Sequence, residues 1–158
     1  MTNPPALTGQ AIGEAAKATN AVLETLLAEV RTSFLSWVAL NALTTAGPVM
    51  PQDALVQRMT GGLKVGAEPV LATLDELEVA RLVTRSDEAE PSGEPSGEPS
   101  AEPAVELTAD GLALHRRIRA GIDQVTERLY GDLPQDDLAT TGRILATVTQ
   151  RANAVLAG

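Results

Sequence analysis

The sequence predicts a mainly α fold with a small two-stranded β-wing. Three observations carry that expectation. Apolar residues recur at helical spacing through six separate stretches. Aromatic residues are nearly absent, Phe34, Trp37 and Tyr130 being the whole set, so the core must be built from Ala, Leu, Val and Ile, which suits close-packed helices better than a β-sandwich. Two short β-prone runs, Leu82–Arg85 and Ala104–Thr108, flank an acidic stretch rich in Pro and Gly. At 158 residues the chain is long enough for one ordinary domain.

The first helix is expected through Ile12, Ala15, Ala16, Val22, Leu23, Leu26, Leu27 and Val30, with Thr8 as N-cap. In the second, Phe34, Leu35, Trp37, Val38, Leu40 and Leu43 surround most of the helix, so it should be central. Thr32 or Ser33 caps it and Gly47 stops it. A short third helix has Pro51 at its first position and Asp53 in its first turn, where the macrodipole favours an acid. Gly61 and Gly62 are expected to end it. The fourth helix carries a buried stripe of Val70, Leu71, Leu74 and Leu77, with Glu68 and Pro69 in its first turn. After the two strands, Thr108 caps a long fifth helix through Leu114, Ile118, Ile122, Val125 and Leu129. Pro134 opens a sixth, with Leu138, Ile144 or Leu145, Val148, Ala152 and Val155 along one face.

Four helices, a strand, a long loop, a strand and two helices make a winged helix-turn-helix with the fourth helix in the recognition position. The terminal helices are amphipathic and lack an obvious third partner, so a homodimer is the natural way to cover them. The expected division is a helical dimerisation region over 1–31 and 109–158, and a winged helix-turn-helix over 32–108 with an acidic wing loop at 86–104.

Composition excludes much chemistry. Without cysteine there are no disulfides, thiolate metal sites or cysteine nucleophiles. A single histidine, His115, has no second histidine or cysteine with which to share a metal, so neither metal nor cofactor is expected. No phosphate-binding glycine loop or nucleophile elbow is present; TGGLKVG follows a helix, not a strand. An enzyme is therefore not expected. The N-terminus has no basic region followed by an apolar run, and no segment is long enough to span a membrane, so the expected location is the cytoplasm.

The net charge of −9 is concentrated: seven acids and no base lie between Ser86 and Glu106, and the rest of the chain is only −2. Glutamates four residues apart in an extended Pro-rich chain lie about 12 Å from one another at about 3 Å per residue. That exceeds the Debye length of about 8 Å, so they repel one another weakly while their summed field opposes a phosphate backbone.

LVQRMTGGLKVGAEPVLATLDELEVARLVTR, followed by VELTADGLAL, resembles the MarR family of transcriptional regulators. Leu77-Glu78, Leu82-Val83 and Leu107-Thr108-Ala109-Asp110-Gly111 fit the family's framework, and Trp37 stands at a position often aromatic there. The resemblance implies a homodimer, two winged domains on a palindromic DNA site, and a small-ligand pocket near the dimer junction. It suggests Arg58, Lys64, Thr73 and Arg85 as DNA contacts, and Trp37 with His115 as walls of a pocket for a small aromatic or anionic effector. The dense basic cluster HRRIR, which begins at that histidine, reads either as a solvated face salt-bridged with Asp110, Asp123 and Glu127 or as a charge that attracts an anionic effector. This sequence departs from the family where DNA is read. Glu68, Pro69, Ala72, Asp75 and Glu76 replace the usual hydroxyl and arginine positions, and the arginine before the second wing strand is missing. From Lys64 to Glu106 three bases face eleven acids, a net of −8. Since phosphate neutralisation dominates DNA affinity, two expectations follow: a dimeric regulator with weak or atypical DNA binding, or a MarR-like ligand- or protein-binding module that acts through a partner regulator.

Overall fold

The computed structural model describes residues 6–86 and 103–158. The acidic tandem, and with it nearly all of the expected wing loop, lies outside the described residues. The elements follow in the order α1 (Gly9–Glu29), α2 (Phe34–Ala46), β1 (Val49–Pro51), α3 (Gln52–Leu63), α4 (Ala67–Val79), β2 (Val83–Ser86), β3 (Ala104–Leu107), α5 (Ala109–Tyr130) and α6 (Gln135–Ala157).

Local chemistry explains most boundaries. Thr8 caps α1, its Oγ accepting the Ala11 N–H at 3.1 Å. Ser33 caps α2 in the same way by accepting from the Ser36 N–H, and Gly47 ends that helix at φ 131°, open only to glycine at little cost. The glycine pair Gly61-Gly62 does not end α3, contrary to expectation: the helix runs on to Leu63, and Lys64 closes it in the left-handed region at φ 57°. Leu55, Met59 and Leu63 lie four residues apart on one stripe. Packing along it outweighs the roughly 1 kcal/mol that each glycine costs a helix. Pro51 and Pro134 stand one residue before their helices and not at the first helical position.

The sheet has three antiparallel strands in the order β1-β3-β2, not the two expected. Val83 pairs with Leu107 and Arg85 with Val105 across the wing. On the other side of β3, Val49 pairs with Glu106 and Pro51 with Ala104. The added strand is only Val-Met-Pro, too short to show alternation, and proline is tolerated there because β1 is an edge. Backbone bonds anchor both of its ends, from the Gln52 N–H to the Pro103 carbonyl and from the Leu107 N–H to the Pro48 carbonyl, each 2.8 Å.

The core centres on α2. Ala39, Leu40 and Leu43 are buried against Leu55 and Met59 of α3, Val70, Leu74 and Leu77 of α4, and Val83 and Val105 of the wing. Thr108 then ties the wing's base to α5. Its Oγ accepts the Gly111 N–H at 3.0 Å, and its hydroxyl is shared between the carbonyls of Arg81 and Leu82 at 2.8 and 2.9 Å. Gly111 sits so close that an added Cβ would strike the Leu82 carbonyl and Leu107 Cδ1.

Two compact units result. The first reaches Gly121; the second, Ile122–Gly158, holds the end of α5 and all of α6. No α6 residue is buried, and Ile144, Leu145, Val148, Val155 and Leu156 are exposed along it.

Replacing Gly111 with Ala is expected to destabilise the first unit by about 2–3 kcal/mol, the range for overpacking against backbone that cannot yield. Urea unfolding followed by circular dichroism should show a lower midpoint with an unchanged slope.

Candidate functional site

The solvent face of α4, the helix expected to read DNA, is acidic. Glu68, Asp75, Glu76 and Glu78 are exposed, and no residue from Ala67 to Val79 is basic. Val79 adds a large apolar side chain that is 85% exposed. The missing positive charge is not supplied by the adjacent wing strand. Arg85, on β2, points back over α4, donating from Nε to Glu78 and from Nη2 to Asp75. Both carboxylates come from one helix face, three residues apart. The Glu78 hydrogen bond is the main influence holding the guanidinium above its ordinary pKa, against partial desolvation and with help from Asp75. Only 22% of the Arg85 side chain is exposed, against 65% for Asp75 and 43% for Glu78, so the ion pairs enclose the cation more than the anions.

The other residues expected at a DNA interface are scattered. Arg58 is exposed on α3 and Lys64 is exposed at its C-cap. Thr73 is buried, and its hydroxyl donates to the Pro69 carbonyl at 2.8 Å, so in this conformation it packs inside α4 and presents nothing to a groove.

Trp37 and His115 come together. Their rings stack at 5.0 Å between centroids and 13° between planes, joining α2 to α5. Each is only 7% exposed. His115 Nε2 lies 3.1 Å from Asn41 Oδ1. Since an amide oxygen can only accept, the imidazole carries its proton on Nε2. Burial, and then the charge of Arg119, hold the His115 pKa below its ordinary 6.5. The ring is thus a neutral, singly hydrogen-bonded wall against the indole. Gly111, His115 and Ile118 are the buried positions of α5, spaced four and three apart, so the histidine lies on the helix's packing stripe.

Cavities lined by the described residues lie elsewhere in the fold. A groove of about 530 Å³ within the second unit is lined largely by apolar atoms, including those of Tyr130, Leu138 and Leu145. A cavity of about 290 Å³ lies between Leu43, Pro48, Leu107 and Leu112. A smaller one, about 210 Å³, is bounded by Arg31, Ser33, Ser36 and Glu76. Among the described residues no group of three or more His, Cys, Asp or Glu side chains could hold a metal. Nor is any helix among them long and apolar enough to cross a membrane.

Two partnerships escape the sequence. Asn41 lies one turn after Trp37 and thus on the same face of α2, a spacing that marks it as a neighbour of whatever packs on the indole. Asp75 and Glu78 likewise share a face, but their pairing with Arg85 depends on how the chain turns between α4 and β2, which no periodicity reveals.

Solved structures identify the fold. The chain is similar to wild-type apo MarR from E. coli, at 20% identity and TM-score 0.67, covering 92% of this chain and 98% of that one. It is similar to NadR in complex with 4-hydroxyphenylacetate, at 18% identity and TM-score 0.68, over 92% and 96%. It is also similar to CouR from Rhodococcus jostii RHA1 bound to p-coumaroyl-CoA, at 16% identity and TM-score 0.70, over 89% and 90%. No protein-family model matches the sequence, and no curated protein matches it. The fold is therefore the winged-helix fold of the MarR-type regulators across nearly the whole chain.

The neutral His115 predicts a pH response with a definite sign. Above pH 6.5 the folded and unfolded chains bind the same number of protons at this residue. As pH falls below 6.5 the unfolded state takes up the proton first, so stability declines until the lowered folded-state pKa is passed, then levels off. The fluorescence of Trp37, the chain's single tryptophan, should report the same event as quenching by the imidazolium, with a midpoint below 6.5. His115→Gln should abolish the transition; a midpoint at or above 6.5 would contradict the buried neutral ring.

Proposed function

We propose that this chain is a MarR-family transcriptional regulator, cytoplasmic, dimeric through its terminal helices and responsive to a small effector, whose DNA binding is weak or atypical. It is a regulator and not an enzyme. The observation that carries this reading is the acidic solvent face of α4 within a MarR-type fold, with Arg85 already paired to that face. Arg58 and Lys64 are the exposed cations on the stretch that leads into the reading helix, and are proposed as its phosphate contacts. Two phosphate contacts per protomer give low affinity and a shallow salt dependence, because affinity falls with salt by about 0.9 log units per phosphate neutralised.

The effector proposed is a small aromatic acid. NadR is bound to 4-hydroxyphenylacetate and CouR to p-coumaroyl-CoA, both aromatic and anionic ligands. In this chain Trp37 and His115 stack between α2 and α5 with 7% exposure each, so the acid would part that packing to reach the rings, and Arg116 and Arg117, exposed on the same helix, would supply positive charge. Bound there, such an acid would alter the packing of α2, the helix on which α3 and α4 rest.

The acidic helix also supports a second role: a MarR-like module that does not touch DNA and acts through a partner regulator. The two are separated by titrating the protein against DNA from immediately upstream of its own coding sequence, at low and moderate salt. Weak binding with a log–log slope near about 2 per protomer is expected at low salt. Tight, sequence-specific binding at moderate salt would sink the weak-binding reading, and no binding at low salt would select the partner-dependent role.

Dimerisation has its own test. Leu145 and Val148 lie on the exposed apolar face of α6, and burying that face gains about 25 cal/mol per Å². Sedimentation velocity should show a dimer for the native chain and a shift toward monomer for Leu145→Glu/Val148→Glu. A native monomer would remove the terminal helices from the dimer proposal.

A further inference from the structure

Arg85 is the only basic residue between Leu82 and Thr108, a span that includes both wing strands. A wing that meets DNA does so with positive charge, and here the one available charge is committed elsewhere. Its Nε and Nη2 donate to two carboxylates of the neighbouring reading helix, and the side chain is largely covered while those carboxylates remain in solvent. The arrangement is self-consistent: Arg85 neutralises part of an acid cluster that would otherwise repel itself, and the cluster in turn holds the arginine down on α4.

Resting on the proposed DNA-binding role, we propose that Arg85, Asp75 and Glu78 form an autoinhibitory latch between wing and reading helix. In the latched state the wing offers no cation to a phosphate or a minor groove. Binding requires Arg85 to exchange two carboxylates for DNA, and the exchange leaves Asp75 and Glu78 uncompensated beside the duplex. Both effects subtract from affinity, and the fraction of molecules with the latch open scales the apparent binding constant. The device needs no change in fold. Rotation of one side chain on β2 opens it, and neutralising the two carboxylates removes the reason for it to close.

The test is a cycle of variants measured against the same upstream duplex at about 50 mM salt, where phosphate contacts are strongest. Asp75→Asn/Glu78→Gln should bind at least about tenfold tighter than the native chain, part from lost repulsion and part from the freed arginine. Lost repulsion alone would persist without Arg85, so the second arm decides. Arg85→Ala in the native background should weaken binding by no more than about threefold, the cost of unmasking Asp75 and Glu78, whereas Arg85→Ala added to Asp75→Asn/Glu78→Gln should lose about tenfold. Equal effects of Arg85→Ala in both backgrounds, or no gain from the neutralised pair, would overturn the latch while leaving DNA binding intact. Failure of every variant to bind would overturn both the latch and the DNA-binding role, and is distinguishable for that reason.

Asp75→Asn and Glu78→Gln keep the shape of exposed side chains, and Arg85→Ala truncates a partly covered one without burying a polar group, so the fold should persist, which thermal melts will show. If a variant does melt early, the native chain gives an independent readout. The Arg85 Nε proton should exchange slowly with solvent in free protein and shift when the duplex is added. A resonance that exchanges as fast as those of the other arginines, or that ignores DNA, would overturn the proposal.

Discussion

The burial of α2 is the constraint on which the rest of the structure depends. Ala39, Leu40 and Leu43 are enclosed by α3, α4 and the inner residues of the wing. With three aromatic side chains in the whole protein, this core cannot be filled by a few large rings. It is filled by small and branched aliphatics at close range, and such packing tolerates little displacement. The same helix carries Trp37 on the face that meets His115 of α5. One rigid element thus touches both the support of the reading helix and the aromatic pair. A ligand that moved one would be felt by the other through packing alone, without a dedicated relay.

The sequence revealed what is periodic and concealed what is pairwise. Each helix announced itself because burial at 3.6-residue spacing leaves a regular mark, and the caps Thr8, Ser33 and Thr108 did so because hydroxyls before an apolar run have few other uses. The wing strands were legible from two β-prone runs around a turn-rich segment. The edge strand Val49–Pro51 was not, because three residues carry no alternation and their stability comes from pairing with a strand more than fifty positions away. The end of α3 was misplaced for a related reason: propensity is local, whereas the burial of Leu55 and Met59 that holds the helix is not. The stack of Trp37 on His115 sat between these cases. Both residues stood out by rarity, but their contact depends on how α2 and α5 cross.

The charge pattern separates fold from function in this chain. The framework that makes a winged helix is apolar and is kept: the stripe of α4, the Leu-Val start of β2, and the Thr108 and Gly111 junction. The solvent face of α4, the surface expected to read DNA, is polar and acidic. These two sets of residues are physically independent, since Glu68, Asp75, Glu76 and Glu78 point to solvent and contribute little to the core. A sequence can therefore drift far at the reading face while the backbone stays superimposable on regulators of 16–20% identity.

The two polar assemblies, Arg85 with its carboxylates and His115 with Asn41, obey opposite logic. Arg85, charged like any arginine, is held by carboxylates that stay in solvent, and such a surface ion pair contributes little to stability. It is therefore cheap to open, which suits a contact that must be exchanged for another. His115 remains neutral because it is buried between an indole and an amide, and protonating it opposes the packing of α5 on α2. It is costly to disturb, which suits a group that transmits a change in packing. In the proposed regulator the surface pair would gate binding and the buried pair would sense the effector, with α2, packed against α4 and stacked on His115 through Trp37, as the element that would couple them.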